Sequence, residues 1–181
     1  MKVLREQELQ TEEFKVGDRI EIRLPFETHM ATAIKQTQEG MLFIFDDLLD
    51  EYMPMFSEIQ EDMSYETSEV RSALKDLSYR LPEGMELIKF NGTDNFRIPK
   101  KEELFGENKI PYFDDEKKRV ACYKNRTDWY WLQDKHVYGD GSVSAAYFAS
   151  VYSRGDAGYS DASNPGIGLR PLALIRPRAN Q

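Results

Sequence analysis

The stretch "DRIEIRLPF" alternates strictly, with Ile20, Ile22 and Leu24 on one side and Arg19, Glu21 and Arg23 on the other. A period of two predicts a half-buried strand. "MATAIKQT", the turn "QEG" and "MLFIFDD" follow as a hairpin. Its second arm, Met41 to Phe45, is a continuous apolar run suited to a central strand. Helical spacing appears in "YETSEVRSALKDLSYRL", where Val70, Ala73, Leu74 and Leu77 mark one face. Thr67 or Ser68 can cap that helix, with Glu69 in its first turn. "FRIPKKEELFG" predicts a second, short helix with Pro99 at its first position and Gly106 as its stop. "MELIKF", "RVACYK" and the apolar run Leu172 to Ile175, halted by Arg176-Pro177, read as short strands. "LLDEYMPMFSEIQEDM" fits neither period, and Pro54 prevents one uninterrupted helix.

From about residue 133 to 168 no period is visible. Sixteen of the thirty residues from Gly139 to Gly168 are Gly, Ser, Asp or Asn, which predicts a long irregular region. The resulting expectation is an α+β fold of short antiparallel strands and two main helices. It occupies residues 16–181 as one domain, behind an arm or short helix at 1–15. Apolar segments at both ends place Ile20, Ile22 and Leu24 in one sheet with Leu172 and Leu174. A chain of 181 residues, 40% hydrophobic and 31% charged, is long enough for one sizeable core.

Charge changes the picture. The net charge is −8, but residues 1–66 hold 16 acidic and 6 basic residues, whereas 67–181 hold 16 and 18. From Gln36 to Val70 there are ten acids and no Lys or Arg. Such a surface repels phosphate backbones and attracts basic partners, so direct nucleic-acid binding is disfavoured. No apolar run reaches the length of a membrane span, and the first residues lack the apolar core of a secretory signal. Cys122 is the only cysteine, which fits a reducing cytoplasm.

Catalytic signatures are mostly missing. His29 and His136 stand far apart, with no zinc spacing around them and no G-x-S-x-G elbow anywhere. The glycine pairs in "GDGSVS" and "GIGLRP" open no helix and read as turns or bulges. No enzyme, metal or cofactor is expected. In "DDLLDE", Asp46/Asp50 and Asp47/Glu51 have i, i+4 spacing. Three readings stay open for them: a solvated acidic face, a divalent-cation site, or a docking surface for a basic protein.

The aromatic residues point the same way. Between Tyr123 and Tyr159 lie both tryptophans and six of the ten tyrosines, but only Phe148 of the ten phenylalanines. Tyr and Trp suit surfaces that are half apolar and half wet, and set among Gly, Ser and Asn they make the composition of a paratope. The candidate binding residues are Tyr130, Tyr138, Tyr147, Tyr152 and Tyr159, with Asp46, Asp47, Asp50 and Glu51 as an acidic complement. Of Trp129 and Trp131 at least one is expected to be structural. In an extended segment they share a face, with Tyr130 opposite.

"WYWLQD", the Ser/Gly/Tyr-rich run after it and "GIGLRPLALI" together resemble bacterial and phage C-type-lectin-like domains of unknown function. Those domains carry a W-W-L-R-S motif and close on G-V-R-P-A-L. "YETSEVRSALKDL" is similar to that family's W-x-x-S-x-L-R-x-W-L helix. "FRIPKKEEL" is similar to the R-L-P-T-x-x-E segment of the related formylglycine-generating, sulfatase-modifying proteins. The resemblance spans about residues 16–176. It implies a lectin-like fold with paired terminal strands, two helices and a long binding loop. It also implies structural roles for Trp131, Gly168, Arg170, Pro171 and Arg71. Gln133 stands where the motif has Arg, and Tyr65 where the helix motif has Trp. Cys122 lacks the partner that formylglycine-generating chemistry needs, and the E-P-N and W-N-D calcium motifs of true lectins are missing. Arg170 is expected to tie the long loop down through backbone carbonyls or through Asp156 or Asp161.

Four function classes follow. The first is a non-catalytic binding module for protein–protein contact. The second is a phage or mobile-element inhibitor of a host defence nuclease, of anti-CRISPR type, in which an acidic protein blocks a basic nucleic-acid channel such as that of Cas9. The third is a carbohydrate-binding module. An enzyme with an unrecognised site comes last.

Overall fold

The computed structural model describes residues 13–179, so most of the arm predicted at 1–15 lies outside the described residues. The alternating and apolar runs form strands where their periods predict them. β1 (Arg19–Arg23), β2 (Thr28–Gln36), β3 (Met41–Phe45), β4 (Met85–Ile88) and β10 (Leu172–Pro177) build an antiparallel sheet in the order β1-β2-β3-β10-β4. The sheet curls into a half-barrel. All five residues of β3 are buried, as a strand covered on both faces requires. The strand from the far end of the chain enters beside it, with Leu174 opposite Leu42 on one side and Ile88 on the other. The first and last apolar segments therefore share one sheet.

Two apolar clusters cover the two faces of this sheet. Ile22, Phe43, Phe45 and Ile175 join Trp131, Phe148 and Phe96 on one side. Leu42, Ile44 and Leu172 join Tyr130, Leu132 and Phe113 on the other.

The expected α+β, lectin-like architecture is overturned. Strand accounts for 38% and helix for 14%, and the fold is mostly β, in three sheets. The two α-helices are short: α1 (Glu69–Lys75) has seven residues and α2 (Lys101–Phe105) five. Ser68 caps α1, its hydroxyl accepting from Arg71 N at 3.1 Å. The cap of α2 is Lys100, so Pro99 stands two residues before the first helical position predicted for it. A two-stranded ribbon, β5 (Ala121–Tyr123) with β6 (Arg126–Asp128), precedes the third sheet.

That third sheet replaces the predicted irregular region. β7 (Tyr130–Val137), β8 (Val143–Val151) and β9 (Ala157–Asp161) form an antiparallel meander through the residues expected to be loop. Two physical features hide it from a period count. β7 slips register against β8 between Trp131 and Lys135 and again between Lys135 and Val137, which breaks the alternation. Buried Ser144, Ser150 and Ser160 put hydroxyls where a period count expects apolar side chains. "DDLLDE" forms no helix either. Leu48 and Leu49 are both buried, and residues 48–56 run extended beside 162–169, with Leu49 N donating to Leu169 O and Phe56 N to Ala162 O, each at 3.0 Å.

Single residues lock these pieces together. Arg170 is 4% exposed; its Nε donates to Phe45 O at 2.8 Å and its Nη1 to Lys118 O at 2.9 Å and to the Tyr130 hydroxyl at 3.3 Å. These anchors hold the end of β3 and the turn before β5. Asp156 and Asp161, the acids expected to meet Arg170, are not among its partners. Pro171 O accepts from Phe45 N at 3.0 Å. Gly168 exchanges hydrogen bonds with the Trp129 carbonyl and the Trp131 amide, and a Cβ there would meet Leu48 Cδ1 at 2.7 Å. Trp131 is fully buried, its Nε1 donating to Met53 O at 2.8 Å. Arg71 grips Asp94 with two bonds of 2.8 and 2.9 Å.

A charge placed on β10 tests the sheet. Leu174→Asp loses the burial of one leucine and puts a carboxylate between β3 and β4. The expected cost is about 4 kcal/mol. A thermal melt should lose about 10 °C or its cooperativity altogether; an unchanged melt contradicts the pairing.

Candidate functional site

The meander is anchored at one end and open at the other. At its base, β7 and β8 are buried on both faces, by Trp131 and Phe148 on one side and by Tyr130, Leu132, Ala149 and Val151 on the other. The open end begins at the β7–β8 turn. Tyr138 N donates to Ser142 O, Gly141 takes a φ of 85°, and Asp140 Oδ1 accepts from the Ser142 amide and hydroxyl at 2.9 and 2.6 Å. A positive φ at that turn is why glycine stands there.

Four rings meet on this end. His136 stacks on Tyr159 with ring centres 3.9 Å apart and planes 23° from parallel. Tyr138 meets His136 edge-on at 4.9 Å, and Tyr147 lies 5.7 Å from Tyr159. Tyr138 and Tyr159 remain 42% and 43% exposed. Val137 and Val143, paired across the hairpin, are 47% and 61% exposed. Large apolar side chains exposed together near one hairpin tip mark a contact surface more strongly than scattered ones. Partial burial and the Lys101 ammonium push the His136 pKa below the usual histidine value. Both effects favour the neutral imidazole in the stack.

The sequence singled out five tyrosines, and three of them join here: Tyr138, Tyr147 and Tyr159. Tyr152 does not. Its ring packs on Trp129 at 4.3 Å and lies flat across Gly158, where any side chain would collide with it. Its hydroxyl accepts from Tyr159 N at 3.4 Å, so it supports the face from behind. Tyr130 is a correction: it is fully buried at the root of β7, and its hydroxyl donates to Arg119 O at 2.6 Å. No partner can reach it. His136 was missed, although "HVY" carries the i, i+2 spacing that puts two rings on one face of a strand.

The acids form no single unit. Asp46 is half-buried and engaged within the fold, its carboxylate accepting from Arg19 at 2.7 and 2.9 Å and from the Thr32 hydroxyl. Asp47, Asp50 and Glu51 are exposed. Among the described residues no hydrogen bond, ion pair or ring contact joins them to the His136 stack. No group of three or more His, Cys, Asp or Glu side chains among the described residues is placed to hold a metal ion. No described helix is long and apolar enough to cross a membrane.

No protein-family model, curated protein or solved structure matches this chain. The lectin-like resemblance of the motifs thus finds no relative behind it.

The imidazole reports on the stack. His136 should titrate below the ordinary histidine value, about 6.5, when its ring proton is followed by NMR. Tyr159→Ala, which uncovers the ring, and Lys101→Ala, which removes the cation, should each raise it. The sign for stability follows: a depressed histidine pKa stabilises the native hairpin above the unfolded value, and that contribution disappears as pH falls through the native pKa. An unshifted histidine, or one indifferent to both substitutions, contradicts the packed stack.

Proposed function

We propose that this chain is a non-catalytic binding protein acting in a cytoplasm, and that its contact surface is the aromatic end of the β7–β8–β9 meander, for a protein partner. The observation that carries the reading is the His136–Tyr159 stack, with Tyr138 and Tyr147 beside it, on the open end of a sheet whose base is buried on both faces. Rigid tyrosines offer large amphipathic contact area at low entropic cost, because few side-chain torsions must be fixed on binding. A packed base also leaves little backbone to order on association. Protein is favoured over sugar by the exposed Val137 and Val143 at the same hairpin, which offer no hydrogen-bonding side chain to a sugar hydroxyl.

The test is kinetic. Partners captured on the immobilised chain are identified, then measured against the double variant Tyr138→Ser/Tyr159→Ser. These partly exposed substitutions remove about 1–2 kcal/mol of ring packing and should lower the melt by a few degrees while keeping it cooperative. Truncating two anchors should raise the off-rate tenfold or more. A captured protein that binds the variant equally well removes this face from consideration. A clear glycan-array hit that the variant loses makes the chain a carbohydrate-binding module instead.

A second reading is favoured by a specific observation. Asp47, Asp50, Glu51, Glu58, Glu61, Asp62 and Glu66 are all exposed, in a stretch without a single Lys or Arg. A surface of that kind suits a basic nucleic-acid-binding protein, and inhibition of a defence nuclease such as Cas9 is the corresponding function. Exposed charges act mainly on encounter. The triple variant Asp47→Asn/Asp50→Asn/Glu51→Gln should therefore lower the on-rate about tenfold and flatten its salt dependence, with the off-rate unchanged. Asp46 is left out because Arg19 and Thr32 depend on it. Failure to retain such a nuclease, with or without guide RNA, ends this reading and leaves the first intact.

A further inference from the structure

We infer that the cleft between β1, the end of β3 and the 3-10 turns at 111–119 is a binding site for a small phosphorylated ligand, independent of the aromatic face. The cleft has a volume of about 340 Å³. That is within the range of small-molecule sites, about 300–1,000 Å³, and more than a single phosphate fills.

Arg170 lines it. This side chain is 4% exposed, and its Nε and Nη1 are occupied by Phe45 O, Lys118 O and the Tyr130 hydroxyl. Its Nη2 has no hydrogen-bond partner among the described residues, and the residue lines the cleft. An arginine carries five donors and cannot shed its charge, so a guanidinium held by three bonds with Nη2 left open to solvent offers a fixed, charged donor to an acceptor that enters the cleft.

The walls add to that call. Lys117 and Lys118 both line the cleft and are exposed, and neither ammonium takes part in an ion pair among the described residues. The Lys118 ammonium sits 5.4 Å from the Tyr112 ring, which lines the same cleft. Arg19 completes the set. The one acid present, Asp46, is already engaged by Arg19 and by the Thr32 hydroxyl. Four cations thus surround one satisfied carboxylate, a local excess of positive charge in a chain whose net charge is −8. One fixed guanidinium nitrogen, Arg170 Nη2, with two exposed ammonium groups matches a phosphoryl group, which offers several strong acceptor oxygens and more than one negative charge. A monocarboxylate would leave most of these donors unused. The volume accommodates a diphosphate or the phosphate monoester of a small metabolite.

The probe is inorganic pyrophosphate, with orthophosphate as the smaller phosphoryl anion and succinate as the control dianion. Isothermal titration of the full chain near physiological salt should show saturable pyrophosphate binding, tighter than orthophosphate and at least tenfold tighter than succinate. Binding should weaken as salt rises. The variant is Lys117→Ala/Lys118→Ala. Both side chains are exposed, and the Lys118 carbonyl that Arg170 uses is kept, so the fold stays intact. This variant should lose at least tenfold in affinity with an unchanged melt. Absence of saturable binding, equal affinity in the double variant, or succinate binding as tightly as pyrophosphate overturns the assignment.

Discussion

A single buried guanidinium holds this molecule together. Arg170 sits just before β10 and reaches the carbonyl that ends β3, the carbonyl of Lys118 and the hydroxyl of Tyr130 at the root of β7. Burying a permanent charge is expensive unless its donors are met, and here three acceptors from three distant segments meet two of its nitrogens. The five-stranded sheet, the 3-10 turns and the meander meet at this one side chain, between the two apolar clusters that join them. Its neighbours in sequence work with it. Gly168 lets the chain pass close to Leu48 while exchanging hydrogen bonds with the Trp129 carbonyl and the Trp131 amide, and Pro171 accepts from Phe45. The closing segment "GIGLRP" is thus a junction between sheets.

What projects from that junction is the outer half of β7. Beyond buried Trp131, His136 stacks on Tyr159, with Tyr138 at its edge. Tyr152, lying across Gly158 and against Trp129, holds β9 in place beneath the stack. The aromatic end is therefore a supported surface on a sheet whose base is core, and the paratope-like composition of the segment is carried by strands.

Charge is divided between separate places. The exposed acids from Asp47 to Glu66 face solvent around residues 47–66, whereas Lys117, Lys118, Arg19 and Arg170 gather around one cleft. Asp46 stands at the boundary and is neutralised by Arg19. An overall charge of −8 thus conceals a positive concavity, and the two surfaces attract partners of opposite sign.

The sequence by itself determined the parts whose hydrophobic period survives in one strand or helix. The alternation of Ile20, Ile22 and Leu24, the apolar run Met41 to Phe45, the Ser68-capped helix and the closing run from Leu172 are legible because each reports its own burial locally. The opposite facing of Trp131 and Tyr130 was legible for the same reason. The third sheet was not, because bulges and buried serines erase the alternation, and a hydroxyl buried beside a β-ladder looks in sequence like one in a loop. The conformation of "DDLLDE" stayed open in the sequence because its leucines are buried by chain segments more than a hundred residues away. Tyr130, read as a surface anchor, became core, while His136 became part of the face. Composition specifies that tyrosines are present; which of them water touches is decided by how strands from distant parts of the chain stack and slip against one another. The same holds for the basic cleft, whose Arg19, Lys117, Lys118 and Arg170 are scattered along the chain and share a wall only because β10 lies beside β3.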